Sequence, residues 1–76
     1  MKYYVVKYAD FDVETEVFPC DSMQEAIAKL YSEWYMACMG DSDVDYDESH
    51  MNQDYTKGSV IYTTGQTLTY EIVVTH

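Results

Sequence analysis

Residues 22–39 read SMQEAIAKLYSEWYMACM, and this stretch decides the fold. At about 100° per residue, Met23, Ile27, Leu30, Tyr31, Trp34 and Cys38 fall on one apolar stripe, flanked by Gln24 and Ala37. The opposite face carries Glu25, Lys29 and Ser32, with Met36 among them and Tyr35 and Met39 near its edge. Ser22 and Glu25 have capping-box spacing, in which the serine oxygen takes the Glu25 N–H and the glutamate returns to the serine N–H. Asp21 adds negative charge where the helix dipole is positive. Gly40 is the expected stop, in the left-handed C′ conformation. With a single helix, the apolar residues elsewhere must pack against it.

Working outward, residues 2–8, KYYVVKY, have strand composition and read as a central strand. Tyr4, Val6 and Tyr8 share one face, and Tyr3, Val5 and Lys7 the other. Residues 9–12, ADFD, suit a hairpin turn. Residues 13–18, VETEVF, alternate, with Val13, Thr15 and Val17 on one side and Glu14, Glu16 and Phe18 on the other; Pro19 is expected to end that strand. Beyond the helix, residues 41–57, DSDVDYDESHMNQDYTK, read as a long acidic loop with at most a short strand at Val44–Tyr46. Residues 58–64 and 67–74 read as a second hairpin about Gly65-Gln66, a pair suited to a type II′ turn. In the last strand Leu68, Tyr70, Ile72 and Val74 form an inward face.

The expected fold is therefore α+β: β-β-α-β-β, an antiparallel sheet with one helix packed on one face. The chain reads as a single domain over residues 1–76 with its acidic loop at 41–57. The expected core comprises Val5, Val17, Ile27, Leu30, Trp34, Leu68, Tyr70 and Ile72.

Charge narrows the function classes. Fourteen acidic residues face four lysines and no arginine, a formal net charge of −10. Direct binding to nucleic acid or to an anionic membrane is disfavoured, because both require a basic surface. A basic protein surface is favoured instead. Cys20 and Cys38 flank a helix about 27 Å long, too far apart to bridge. Free thiols, no signal peptide and no long apolar run point to a cytoplasmic protein.

No catalytic or metal motif survives inspection, so the chain is read as a non-enzyme without cofactors. Asp41, Asp43, Asp45 and Asp47 match the odd positions of a calcium loop, but Tyr46 stands where glycine belongs and Asn52 where a bidentate glutamate belongs. Cys20, Cys38, His50 and His76 lack the close pairing of a zinc site. Phosphate loops and nucleophile elbows are absent.

What remains is the placement of the acids. Asp10, Asp12, Glu14 and Glu16 alternate, and an extended chain projects them from one face at about 6.6–6.8 Å intervals, similar to phosphate spacing. Asp41, Asp43, Asp45 and Asp47 repeat the pattern, with Glu48 and Asp54 nearby. Tyr46 and Tyr55 lie among them as amphipathic contact anchors. These twelve residues are the expected partner-binding set, and the partner they suit is a nucleic-acid-binding protein with an Arg/Lys groove. A small adaptor or homodimer, using Tyr35, Met36 and Met39 or a sheet edge, is the alternative.

In size, charge, lack of arginine and the two acidic ladders, the chain resembles small phage-encoded anti-defence proteins of the acidic anti-CRISPR type. The resemblance is one of style over the whole chain and contains no alignable motif, so no residue role is carried over. It implies inhibition of a host nuclease complex by blocking its DNA- or guide-binding channel.

Overall fold

Trp34 seats the helix on the sheet. In the computed structural model, which describes residues 1–76, its ring lies against Gly58 and its Nε1–H donates to the Ser59 carbonyl at 2.8 Å. A Cβ built on Gly58 would stand 2.8 Å from Trp34 Cδ1 and from Met51 Cε. Glycine is thus required there for close approach.

The strands are β1 (Lys2–Ala9), β2 (Glu16–Cys20), β3 (His50–Met51), β4 (Lys57–Ile61) and β5 (Thr67–Thr75), with the helix α1 (Met23–Met39) between β2 and β3. All pairings are antiparallel, and the sheet order is β2-β1-β5-β4-β3. The β-β-α-β-β order with the helix on one face is as the sequence reads. The two-residue β3, drawn from the acidic loop, is an addition. The shortest molecular dimension is 17 Å, as two layers require.

The core comprises Val5, Ala26, Leu30, Cys38, Val44, Val60, Leu68 and Tyr70. Trp34 and Ile72 pack against it partly buried, and Ile27 is half-buried. Val17 departs from expectation at 55% exposure. Register explains this: Val5 pairs with Phe18 and Val6 with Val17, so Phe18 shares the helix-facing side. Phe18 is the larger apolar side chain, and Lys29 Nζ sits 4.7 Å from its ring centroid. The strand also starts and ends later than expected. Pro19 lies within β2, opposite Tyr4, because β2 is an edge strand and proline costs an edge little.

The helix cap forms with one change. Ser22 Oγ accepts from Glu25 N–H at 3.1 Å, but Glu25 Oε2 accepts from Asp21 N–H at 3.0 Å rather than from Ser22. Gly40 is not left-handed: its φ is −88°, its N–H donates to the Met36 carbonyl, and a Cβ would crowd that oxygen at 2.8 Å. The buried stripe is rotated toward Ala26, which leaves Tyr31 45% exposed. The β4–β5 connection is longer than two residues. Gly65 N–H donates to the Tyr62 carbonyl and Tyr62 N–H to the Gln66 carbonyl, with Gly65 at φ 92°. This is a turn followed by a positive-φ residue, not a type II′ pair.

The second sheet face is uncovered. Register places Tyr4, Val6, Tyr8, Val17, Glu71 and Val73 there. Tyr8 donates to Glu71 Oε1 at 2.9 Å, and Lys57 Nζ stands 3.8 Å from the same oxygen.

Two outcomes follow from this packing. Gly58→Ala is expected to cost about 1–3 kcal/mol through overpacking against Trp34, read as a lowered Tm; an unchanged Tm would remove Trp34–Gly58 from its seating role. Burial raises the Tyr70 hydroxyl pKa to about 12. The unfolded chain ionises this group near pH 10, so the native state then holds more protons and stability falls as pH rises from about 10 to 12. Tyr70→Phe is expected to flatten that fall in an alkaline denaturation series, and an equally steep fall would refute the assignment.

Candidate functional site

The acidic segments are folded by their own carboxylates. Asp10 follows β1, its N–H donating to the Thr67 carbonyl at 3.1 Å and its Oδ1 accepting from Thr67 N–H at 2.8 Å. The chain bends at Asp10–Asp12, and Val13 N–H donates to the Phe11 carbonyl. Phe11 meets Tyr62 edge-to-face at 5.8 Å. Glu16 has entered β2 and reaches Lys7 at 3.8 Å. Asp10, Asp12, Glu14 and Glu16 therefore follow a bend and do not form an extended ladder.

The second series differs for the same reason. Asp41 Oδ1 accepts from Asp43 N–H at 2.9 Å, and Asp45 Oδ1 from Asp47 N–H at 3.2 Å. Aspartate stabilises turns through this two-residue bond, and turns replace the extended ladder at 42–43 and 46–48. Between them Val44 enters the core, 4% exposed, and bridges to Tyr62. Asp45 N–H donates to the Ile61 carbonyl and Thr63 N–H to the Asp43 carbonyl, both at 2.7 Å. Ser49 Oγ accepts from Ile61 N–H at 2.9 Å and donates to the Asp45 carbonyl. Residues 41–57 are thus a loop stitched along β4, with the Val44 bridge and the two-residue β3 within it.

These bonds bring parts of both acidic segments to one end of the molecule. Asp10 is tied to Thr67 and Asp43 to Thr63, at either end of the β4–β5 turn. Phe11, Asp41, Asp43, Tyr62, Thr64 and Gln66 line one concavity of about 220 Å³ there. The C-terminus of α1 is close by, with no basic residue in its last turn to balance the negative end of the dipole. Lys7 lines the adjoining groove with Asp41 and Gly40, but is paired with Glu16. The ion pairs are Lys7–Glu16, Lys29–Glu33 and Lys57–Glu71, so none of the aspartates is neutralised by a lysine.

Tyr46 and Tyr55 lie elsewhere, where the acidic segment meets α1, and Asp47, Glu48 and Asp54 neighbour them in sequence. Tyr46 joins Tyr31, Trp34, Tyr35, Cys38, Met39 and Ser49 around a cleft of about 300 Å³. Tyr31 lies 6.1 Å from Tyr35, nearly parallel at 18°, and 6.0 Å from Tyr55. Tyr55 is held at φ 59°, a region bulky L-residues avoid. Asn52 imposes it: its Oδ1 accepts from Thr56 and Lys57 N–H, and its carbonyl from Tyr55 N–H. Of the cleft, only Tyr46 belonged to the expected binding set. Tyr35 and Met39 were expected at an interface only on the alternative helix-face reading; Tyr31 and Trp34 were read as core, although the four-residue spacing of Tyr31 and Tyr35 was a signal for a shared face.

Neither thiol is activated. Burial pushes the Cys20 thiol up, and nearby Glu25 adds to this; burial also pushes up Cys38, against a contact from Ser49. Both cysteines are free. No three His, Cys, Asp or Glu side chains converge to hold a metal ion, and no helix is long and apolar enough to cross a membrane. No protein-family model, curated protein or solved structure matches the chain.

The left-handed backbone at Tyr55 is open to test. Glycine avoids the cost of about 1–2 kcal/mol that an L-residue pays there. Tyr55→Gly is expected to be more stable than Tyr55→Ala by roughly 1 kcal/mol in matched thermal melts. Equal Tm values would show that residue 55 is not held at positive φ.

Proposed function

We propose that this chain is a non-enzymatic acidic binding protein of the anti-CRISPR type. It inhibits a nuclease or another nucleic-acid-binding protein by occupying the basic surface meant for nucleic acid. The observation that carries the reading is the convergence of Asp10, Asp41 and Asp43 on the β4–β5 turn, without a lysine pairing any of them. Carboxylates fixed by backbone bonds at a helix C-terminus form a pre-organised negative surface, and a basic groove gains from neutralising it. Fixed turns also lower the ordering cost of association. Mimicry on this reading comes from a rim of carboxylates around one end and along the β4 side, rather than from two straight ladders. Two free thiols suit a cytoplasmic setting.

A second reading, a small adaptor or homodimer, is favoured by Met36 and Met39, which are 66% and 60% exposed on α1. The sheet edges suit it less, since β2 carries Pro19 and β3 has two residues.

The two readings separate by salt. Tagged protein is incubated with nuclease-treated bacterial lysate at low and high ionic strength. The acidic reading expects a nucleic-acid-binding protein that washes off with salt and is displaced by added DNA. Replacing Asp41, Asp43, Asp45 and Asp47 with Asn keeps the turn-capping oxygens but removes four charges. At a few tenths of a kcal/mol each, this is expected to weaken capture roughly tenfold. A salt-resistant partner, or only a second copy of the chain, would sink the acidic reading and favour the helix face.

A further inference from the structure

The cleft beside α1 has the chemistry of a cation receptor. Tyr31, Trp34, Tyr35 and Tyr46 supply its aromatic rings, and Met39 a polarisable sulfur. Tyr31 and Tyr35 lie nearly parallel, stacked with their ring centroids 6.1 Å apart. Tyr55, held at φ 59° by the Asn52 bonds, lies 6.0 Å from Tyr31 with its ring tilted by 59°. Tyr46 and Tyr55 come from the acidic segment, in the sequences Asp45-Tyr46-Asp47 and Asp54-Tyr55.

The chain supplies no cation of its own to this cleft. It has no arginine; Lys7, Lys29 and Lys57 are paired with Glu16, Glu33 and Glu71, and Lys2 lines a different groove with Tyr3, Tyr4 and Pro19. Lys29 serves the Phe18 ring instead. The occupant is thus external, and the net charge of −10 selects a cationic one.

We propose that this cleft receives an arginine side chain of the basic partner, with its guanidinium packed against the exposed tyrosine rings. Arginine fits better than lysine because it is planar and weakly hydrated and stacks on aromatic faces, whereas an ammonium is a strongly hydrated point charge. This rests on the acidic-inhibitor reading for its partner, and adds an anchor that is less sensitive to salt than the carboxylate rim.

The test is an NMR titration of the full chain with N-acetyl-arginine amide, N-acetyl-lysine amide and N-acetyl-citrulline amide, the last an uncharged analogue of arginine. Saturable shifts are expected at the rings of Tyr31, Tyr35 and Tyr46 with the arginine probe, weaker ones with lysine and none with citrulline. Tyr35 and Tyr46 are 49% and 55% exposed, so Tyr35→Ala and Tyr46→Ala should retain the folded spectrum. Each is expected to weaken arginine binding roughly three- to tenfold. No saturable shift with arginine, equal response to citrulline, or shifts confined to the Asp41–Asp43 end would overturn the proposal. So would variants that bind as the parent does. The lysate capture keeps the two readings apart. If a variant carrying both Tyr35→Ala and Tyr46→Ala captures the salt-sensitive partner unchanged, the cleft proposal fails and the acidic reading stands. If no such partner is found but arginine still saturates the rings, the acidic reading fails and the cleft stands.

Discussion

The structure depends on the meeting of one indole with one glycine. Trp34 reaches across to β4, lies against Gly58 and bonds the Ser59 carbonyl. With only eight buried apolar residues in the core, no other contact joins so large a ring to so close a backbone. The contact sets how α1 sits over β4, and therefore which residues of α1 remain outside. Tyr31, Tyr35 and Met39 are exposed because Trp34 and Leu30 take the inward positions. A chain of this size buries little more than half of its unfolded surface, so a single well-placed aromatic weighs heavily.

The same economy explains the acidic segment. Residues 41–57 carry abundant charge and little apolar content, yet they are not left loose. Val44 anchors them in the core, Ser49 stitches them to Ile61, and aspartate side chains close their turns. Each turn-closing carboxylate spends one oxygen on a backbone N–H and keeps a charge for solvent or a partner. Fold and surface potential thus draw on the same side chains, and a pre-organised negative surface results without lysine counterions.

Two features of different chemistry then lie along one segment. At one end, Asp41 and Asp43 join Asp10 about the β4–β5 turn. Further on, Tyr46 and Tyr55 meet the tyrosines of α1. A basic groove that engages the first through long-range charge is offered aromatic faces by the second. On the proposed reading, the charge steers association and the rings add shape-specific contact.

The sequence by itself determined what short-range rules decide. The α1 cap follows from Ser22 and Glu25, the inward residues Leu68 and Tyr70 from strand alternation, and the β-β-α-β-β order from turn signals. The net charge is read directly from composition. Legibility failed where two local readings were equal until a third element chose. Alternation in residues 13–18 permits either face inward, and only the pairing of Val5 with Phe18 turned Val17 out. Helical periodicity permits a stripe centred near Tyr31 or near Ala26, and the seat of Trp34 on Gly58 selected the latter. Alternate aspartates permit an extended ladder or a series of turns. Core burial of Val44 and the bonds to Ile61 and Thr63 chose turns. The aromatic cleft joins side chains from α1 and the acidic segment, so no local pattern contains it. Tertiary packing decided it, because burial energy is gained by the whole assembly and not by any one stretch.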